Sequence, residues 1–275
     1  MNYRHAYHAG NFADCMKHAL LVWLLKAIGS KPAPFFVLDT HAGTGHYDLD
    51  ALPATRTREA TGGILRLLDA VAGDATPLAP YLSLVRRLGL YPGSPSLIEV
   101  LMRPDDRLAC CELHPEDAAE LRRLFARIPA VSVHRRNAWE ALRGLLPPKQ
   151  KRGLILIDPP FEDPEEFAHL AAGLALGHAR FQTGVFAAWY PIKRLAQVRQ
   201  FLTGMRDSGI RDIVTAEFLL REPLDPTRLN GCGLLVVNPP FQFEAAATAI
   251  LTDLLDAIGT DEHGQAIAVT RIADE

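Results

Sequence analysis

The stretch GLILIDPPFE, residues 153–162, runs from glycine through four apolar residues into an acid, two prolines and an aromatic ring. An unbroken apolar run of that length, closed by proline, reads as a strand covered on both faces, and so as part of a sheet sandwiched between helices. A near copy, LLVVNPPFQ at 234–242, has asparagine where the first has Asp158.

Outward from these two runs the same pattern recurs. Strands are expected at 34–41, 106–113, 131–135, 153–158, 184–190, 211–220 and 231–238. Helices are expected at 11–28, 115–128, 138–146, 164–181, 194–209 and 243–259; PEDAAELRRLFARI opens on proline with acids in its first turn, as the helix dipole favours. Alternation of this kind specifies an α/β fold with a seven-stranded, mostly parallel sheet. Residues 48–104 break the rhythm, being too long for one crossover, and read as a helical insertion between the first and second strands of a single domain spanning 1–275.

Composition narrows the class. A chain of 275 residues that is 48% hydrophobic can bury a sizeable core, and its 20 Gly and 20 Pro are dispersed, with no low-complexity tract or fixed-period repeat. The apolar run ALLVWLLKAIG from Ala19 is interrupted by Lys26 and falls short of the ~20 residues of a bilayer span, so no membrane association is expected. The 4 Cys form neither a disulfide ladder nor a CxxC metal pattern, which points to a reducing cytoplasm and to no metal. A net charge of −3 argues against bulk attraction to nucleic acid. Arg122 and Arg123, Arg135 and Arg136, and KQKR at 149–152 leave a local basic footprint open beside the ordinary reading of solvated faces.

The chemistry concentrates at strand ends. In DTHAGTGHY, 39–47, Gly43 and Gly45 permit a tight turn and close backbone approach where ligands of open α/β sheets collect, although a plain strand-to-helix turn uses the same residues. Glu112 closes the second strand, where an acid takes ribose hydroxyls in nucleotide sites and where a charged residue also serves as a surface cap. After Asp158, two rigid prolines aim the carboxylate and the Pro159 carbonyl at one point, with Phe161 beside them as a flat surface. That suits a planar ring with an exocyclic amine, a poor nucleophile that gains from positioning, which removes roughly 7–11 kcal/mol from such barriers. Since the fourth strand of a doubly wound sheet lies beside the first, Asp158 is the catalytic candidate, and NPPF at 238–241 is a structural turn.

DPPF conforms to the (Asp/Asn/Ser)-Pro-Pro-aromatic motif of amino-methyltransferases, and DTHAGTG resembles their S-adenosylmethionine loop. With YRHAYHAGNFADCMKH (3–18), YPGSPSL (91–97), ELHP (112–115), RGLILIDPPF (152–161), WYPI (189–192) and VVNPPF (236–241), the chain resembles, end to end, the RlmJ family of bacterial 23S rRNA adenine-N6 methyltransferases. The resemblance implies a Rossmann-like class I methyltransferase carrying S-adenosylmethionine and modifying one 23S rRNA adenine during large-subunit assembly. It implies cofactor contacts from Lys17, His18, His41, Gly43, Ser94, Glu112, Asn137 and Asp158, and catalysis by Asp158, Pro159 and Phe161. Tyr3 and His5, with Phe161, are implied to engage the RNA, and Lys17 shares their amino-terminal stretch.

Two positions depart from the family. Phe161 replaces a more usual tyrosine, keeping the stacking face without the hydroxyl, and Asn137 replaces a common acid after the third strand. A DNA adenine-N6 methyltransferase is the alternative enzyme, for which a target-recognition domain would speak. A non-catalytic RNA-binding assembly factor is the other; loss of the acid or the aromatic would signal it. The expected state is a cytoplasmic monomer.

Overall fold

The computed structural model describes residues 9–49, 59–71, 73 and 75–275. Its sheet contains β1 (Phe36–Asp39), β2 (Arg107–Cys111), β3 (Val131–His134), β4 (Gly153–Ile157), β5 (Val185–Ile192), β6 (Ile213–Leu219), β7 (Gly231–Val237) and β8 (Ala266–Ala273), in the order β3-β2-β1-β4-β5-β7-β6-β8. β1 to β5 run parallel; β7 opposes β5 and β6, and β8 opposes β6.

The sheet thus has eight strands, not the expected seven. The extra strand, AIAVTRIA, alternates exposed and half-buried residues because it forms an antiparallel edge with one covered face, so it lacks the continuous apolar run that marks the others. Arg271 ties it down by ion pairs to Asp212 and to Glu244.

Two cores lie on the two faces, as the strand period of two requires. In β4, Leu154 and Leu156 join the core on one face, and Ile155 and Ile157 the core on the other. The first face carries α1 (Phe12–Gly29), α2 (Arg66–Ala70), α3 (Ala79–Leu88), α4 (Ser94–Leu101), α5 (Pro115–Leu124) and α9 (Phe243–Ile258). The second carries α6 (Ala138–Leu145), α7 (Glu166–Arg180) and α8 (Leu195–Arg206).

α1 is buried on nearly every side, including Cys15, Met16, Leu20, Leu21, Leu24 and Leu25, and Asn11 caps its start by accepting the Asp14 amide at 2.9 Å. Burying each large aliphatic side chain contributes about 1.5–3 kcal/mol, which offsets the cost of sheltering two charged side chains, Asp14 and Lys17, that pair with each other at 2.9 Å. Within the interval expected as an insertion, a π-turn at Thr61–Leu65 leads into α2, and α4 packs on β1 and β2. The whole places the carboxyl ends of β1 and β4 side by side at the point where strand order reverses, the position where open α/β sheets form a ligand crevice.

Candidate active site

The end of β4 meets the side of α1. Lys17 Nζ lies 2.5 Å from Asp158 Oδ2 and 2.9 Å from Asp14 Oδ1, and the lysine is only 3% exposed. Burial alone pushes a lysine pKa down, but the two carboxylates outweigh it and hold the ammonium above its ordinary value. Among the described residues, Oδ1 of Asp158 has no hydrogen-bond partner.

Two clefts share Asp158 and Pro160 as common wall. The smaller, of about 110 Å³, is lined by Thr40, His41, Gly43, Glu112, Asn137 and Trp139 among others. The larger, of about 590 Å³, opens beside Pro159, Trp189 and Lys17.

At the smaller cleft, Gly43 and Gly45 have φ of +60° and +88°, so the β1 loop uses the left-handed region that favours glycine. Glu112 reaches across from β2: Oε2 accepts the Gly43 amide at 2.9 Å and Oε1 the His114 amide at 2.8 Å. Burial raises the pKa of its carboxyl, against which these amides stabilise the charged form. Asn137 caps α6 by accepting the Trp139 amide at 2.9 Å, which uses its Oδ1 and leaves its amide nitrogen for a ligand. His41 bonds Thr40 Oγ1 at 2.9 Å and meets Trp139 edge to face at 5.9 Å; burial lowers its pKa to about 4, so the imidazole is neutral near pH 7.

These groups fit an adenosyl group: a carboxylate to accept from the ribose diol, an amide for the base and a glycine turn for close approach. The smaller cleft is below the roughly 300–1,000 Å³ of a small-molecule site, so such a ligand would extend past Asp158 towards the larger one.

Other sequence-predicted residues stand further back. Ser94 is buried and donates to Asp39 Oδ2 at 2.7 Å. His18 is buried against Tyr91, Nδ1 to hydroxyl 3.0 Å, and lines neither cleft. Phe161 adopts φ +51°, and its ring meets Phe167 at 4.8 Å and Trp189 at 5.9 Å, both edge to face. Tyr3 and His5 lie outside the described residues.

Asp39, Asp14 and Trp189 join the site without a role predicted from the sequence. Asp39 closes an apolar strand just as Glu112 and Asp158 do, a shared signal by which it could have been found. It is fully buried; burial first, then the Asp158 charge, raise its pKa to about 6 despite the Ser94 hydroxyl. Asp14 gives no such signal, being an acid in a helix first turn.

The basic residues beside the larger cleft are not the expected clusters. Arg66, Lys193, Arg221 and Arg228 join Lys17 there, five cations against the carboxylates of Asp14, Glu59 and Asp158. Arg221 and Arg228 are spaced by a shared partner, Glu262, at 2.9 and 3.3 Å. Arg136 lines the smaller cleft, whereas Arg152 lies before β4, at the other end of the sheet.

The twin motifs also separate. β7 runs against β5, so Asn238 follows Val237 beside the start of β5, where its Nδ2 donates to the carbonyls of Gln182 and Gly184, both at 2.8 Å. Asp158 follows Ile157, paired with Ala188 near the middle of β5. Asn238 thus braces a turn remote from Asp158.

Sheet order, glycine turn and strand-end acids together define a Rossmann-like class I methyltransferase fold. A probable spermidine synthase from Corynebacterium glutamicum shares that fold at a TM-score of 0.54 and 16% identity, over 98% of this chain and 77% of its own. Residues 32–270 match the family model described as ribosomal RNA large subunit methyltransferase D, RlmJ, and the chain belongs to this family. It is 36% identical to ribosomal RNA large subunit methyltransferase J of Escherichia coli (strain K12) over 91% of both chains. Against the protein of the same name from Haemophilus influenzae it is 35% identical over 96% of both. A solved structure from Legionella pneumophila superposes at a TM-score of 0.87 with 33% identity, covering 96% of this chain and 98% of that one.

Proposed function

We propose that the protein transfers a methyl group from S-adenosylmethionine to the exocyclic N6 amine of one adenine in 23S rRNA. Methylation of large-subunit ribosomal RNA is the activity for which its family is named. The observation that carries the finer reading is the common wall: Asp158 and Pro160 line both the cleft with adenosyl-type donors and the larger basic one.

Glu112, Asn137 and the Gly43 turn would hold the cofactor, with His41 and Ser94 shaping the loop around it. When bound, it supplies an electrophilic methyl carbon. Asp158 and the Pro159 carbonyl accept the two amine hydrogens, favouring the tetrahedral nitrogen, and the Phe161 ring stacks on the base. Lys17 anchors Oδ2 of Asp158, which leaves Oδ1 for the amine, and the proton shed on methylation passes to that carboxylate and on to solvent. The base must leave its stack, at a cost of a few kcal/mol in a duplex and less in a loop. Arg66, Lys193, Arg221 and Arg228 hold flanking phosphates, so binding weakens steeply with salt. A monomer is the state that fits large exposed apolar residues on separate segments, such as Leu90, Leu113 and Leu224. No described helix is long and apolar enough to cross a membrane.

The test is methyl transfer from labelled cofactor to unmodified 23S rRNA beside adenine-rich duplex DNA, with Asp158→Ala as control and mass spectrometry to locate the product. N6-methyladenine at one rRNA site, absent with the variant, is the expected result. Transfer to DNA alone overturns the substrate.

A further inference from the structure

The two sequence features that the active site leaves unused, the NPPF turn and the KQKR run, meet at one place. A cleft of about 610 Å³ at the amino-terminal end of β4 is walled by Trp23, Lys26, Lys31, Arg152, Thr183 and Phe241, among others. Its lining holds three cations and no acid, unlike the active-site cleft. The KQKR loop forms its rim: Thr183 donates its hydroxyl to the Lys151 carbonyl at 3.0 Å, and Lys149 and Lys151 are exposed. Arg152 is fixed by donating to Ile28 O at 2.6 Å, so its charge is held in the wall.

Phe241 is 90% exposed, the most exposed large hydrophobic residue among those described. Its backbone is nonetheless braced. Asn238 and Gln242 flank it at φ +53° and +68°, Asn238 bonds two carbonyls of the neighbouring loop, and two prolines stiffen the turn between. An aromatic ring held out to solvent on a rigid turn, over a cleft of unopposed cations, has the chemistry of a base-stacking platform with phosphate contacts.

We infer that this cleft is a second RNA-binding surface, which takes a single-stranded segment of the substrate RNA with a base stacked on Phe241 and phosphates on Lys26 and Lys31. A duplex would offer no free base face to the ring. Gly153 in this cleft and Asp158 in the active site lie at opposite ends of β4, roughly 17 Å apart at about 3.3 Å per residue, so an RNA that engages both runs around the outside of the sheet and needs a segment longer than that span. The inference rests on the RNA-methylation reading for the identity of the segment, and the surface itself is tested without catalysis.

The full-length protein is titrated into a labelled, thiouridine-bearing single-stranded RNA at stepped salt, and photocrosslinks are mapped by mass spectrometry. Crosslinks within 23–31 or 238–242 are expected. Phe241→Ala should weaken binding about tenfold without lowering the melting temperature, and Lys26→Glu with Lys31→Glu should reduce the salt slope by about 1.4. In parallel, these variants should raise KM for long 23S rRNA about tenfold with kcat unchanged, and leave a short hairpin carrying the target adenine unaffected. Crosslinks confined to residues around Asp158, or variant affinities equal to wild type, overturn the surface. Mapped crosslinks with no methylation of any RNA by wild type would uphold the surface and sink the methyltransfer reading instead.

Discussion

Lys17 Nζ bridges Asp158 Oδ2 and Asp14 Oδ1, so one buried ammonium joins the first turn of α1 to the end of β4. Removing it leaves two carboxylates facing each other in a poorly solvated site with Asp39 nearby. Lys17→Met is therefore expected to cost about 3–5 kcal/mol of stability, the range for breaking a buried pair. Adding Asp14→Asn should recover a substantial part, because it removes one of the orphaned charges. Urea unfolding of both variants checks this, and a double variant no more stable than the single would show that the charges are solvated after all.

Asp158→Ala should abolish methyl transfer and lower stability, but Lys17 keeps its ion pair with Asp14, so the protein stays folded. Asn238→Ala should do the reverse. It loses two hydrogen bonds to Gln182 and Gly184 and puts alanine at φ +53°, for a cost of about 2–3 kcal/mol. Chemistry at Asp158 should persist. An Asn238 variant of native stability that transfers no methyl would reverse the assignment of the two turns.

The contrast between these turns is legible in the sequence, because strand order alone places the fourth strand beside the first and the seventh away from it. The parallel centre was legible for the same reason that it is stable: strands covered on both faces must be apolar throughout. β8 escaped because an edge strand needs only one apolar face. In the site, strand-end residues could be read from position, as with Glu112 and Asp158. Asp14, Trp189 and the rim arginines could not, since their neighbours come from distant segments: Arg66 lies between Glu59 and Ala70, Arg221 and Arg228 after β6, and only the folded chain gathers them around Lys17.

Phe161 separates base positioning from cofactor binding. Its ring has Phe167 and Trp189 edge to face, and of these rings Trp189 lines the larger cleft, so truncation removes the support behind that wall. Phe161→Ala should lower kcat/KM for RNA by roughly 10- to 100-fold, in keeping with about 1–3 kcal/mol per stacked base, with cofactor affinity little changed. Phe161→Tyr should retain most activity, as stacking needs only the ring. Parallel measurement of cofactor Kd by calorimetry decides the point: a loss of cofactor binding equal to the loss of rate would place Phe161 in the wrong cleft.

Asp39 offers a prediction with a definite sign in pH. Its pKa is pushed up to about 6 in the folded protein, from about 3.9 for an ordinary aspartate, chiefly through burial. The folded state therefore binds the proton more tightly than the unfolded chain, and stability falls as pH rises from about 4 to about 6, then stays reduced. Asp39→Asn removes the charged form, keeps an oxygen for the Ser94 hydroxyl, and should raise stability at pH 7 by up to about 3 kcal/mol, at roughly 1.36 kcal/mol per pKa unit. The gain should vanish below pH ~4, where the native acid is already neutral. The same carboxylate accepts the His41 amide at 3.3 Å and fixes Ser94, so the variant should bind S-adenosylmethionine more weakly even as it melts later. Unfolding of wild type and variant across that pH window, with cofactor titration at pH 7, measures both effects. A stability difference that does not change with pH would mean that Asp39 is ionised in the folded protein as readily as in water.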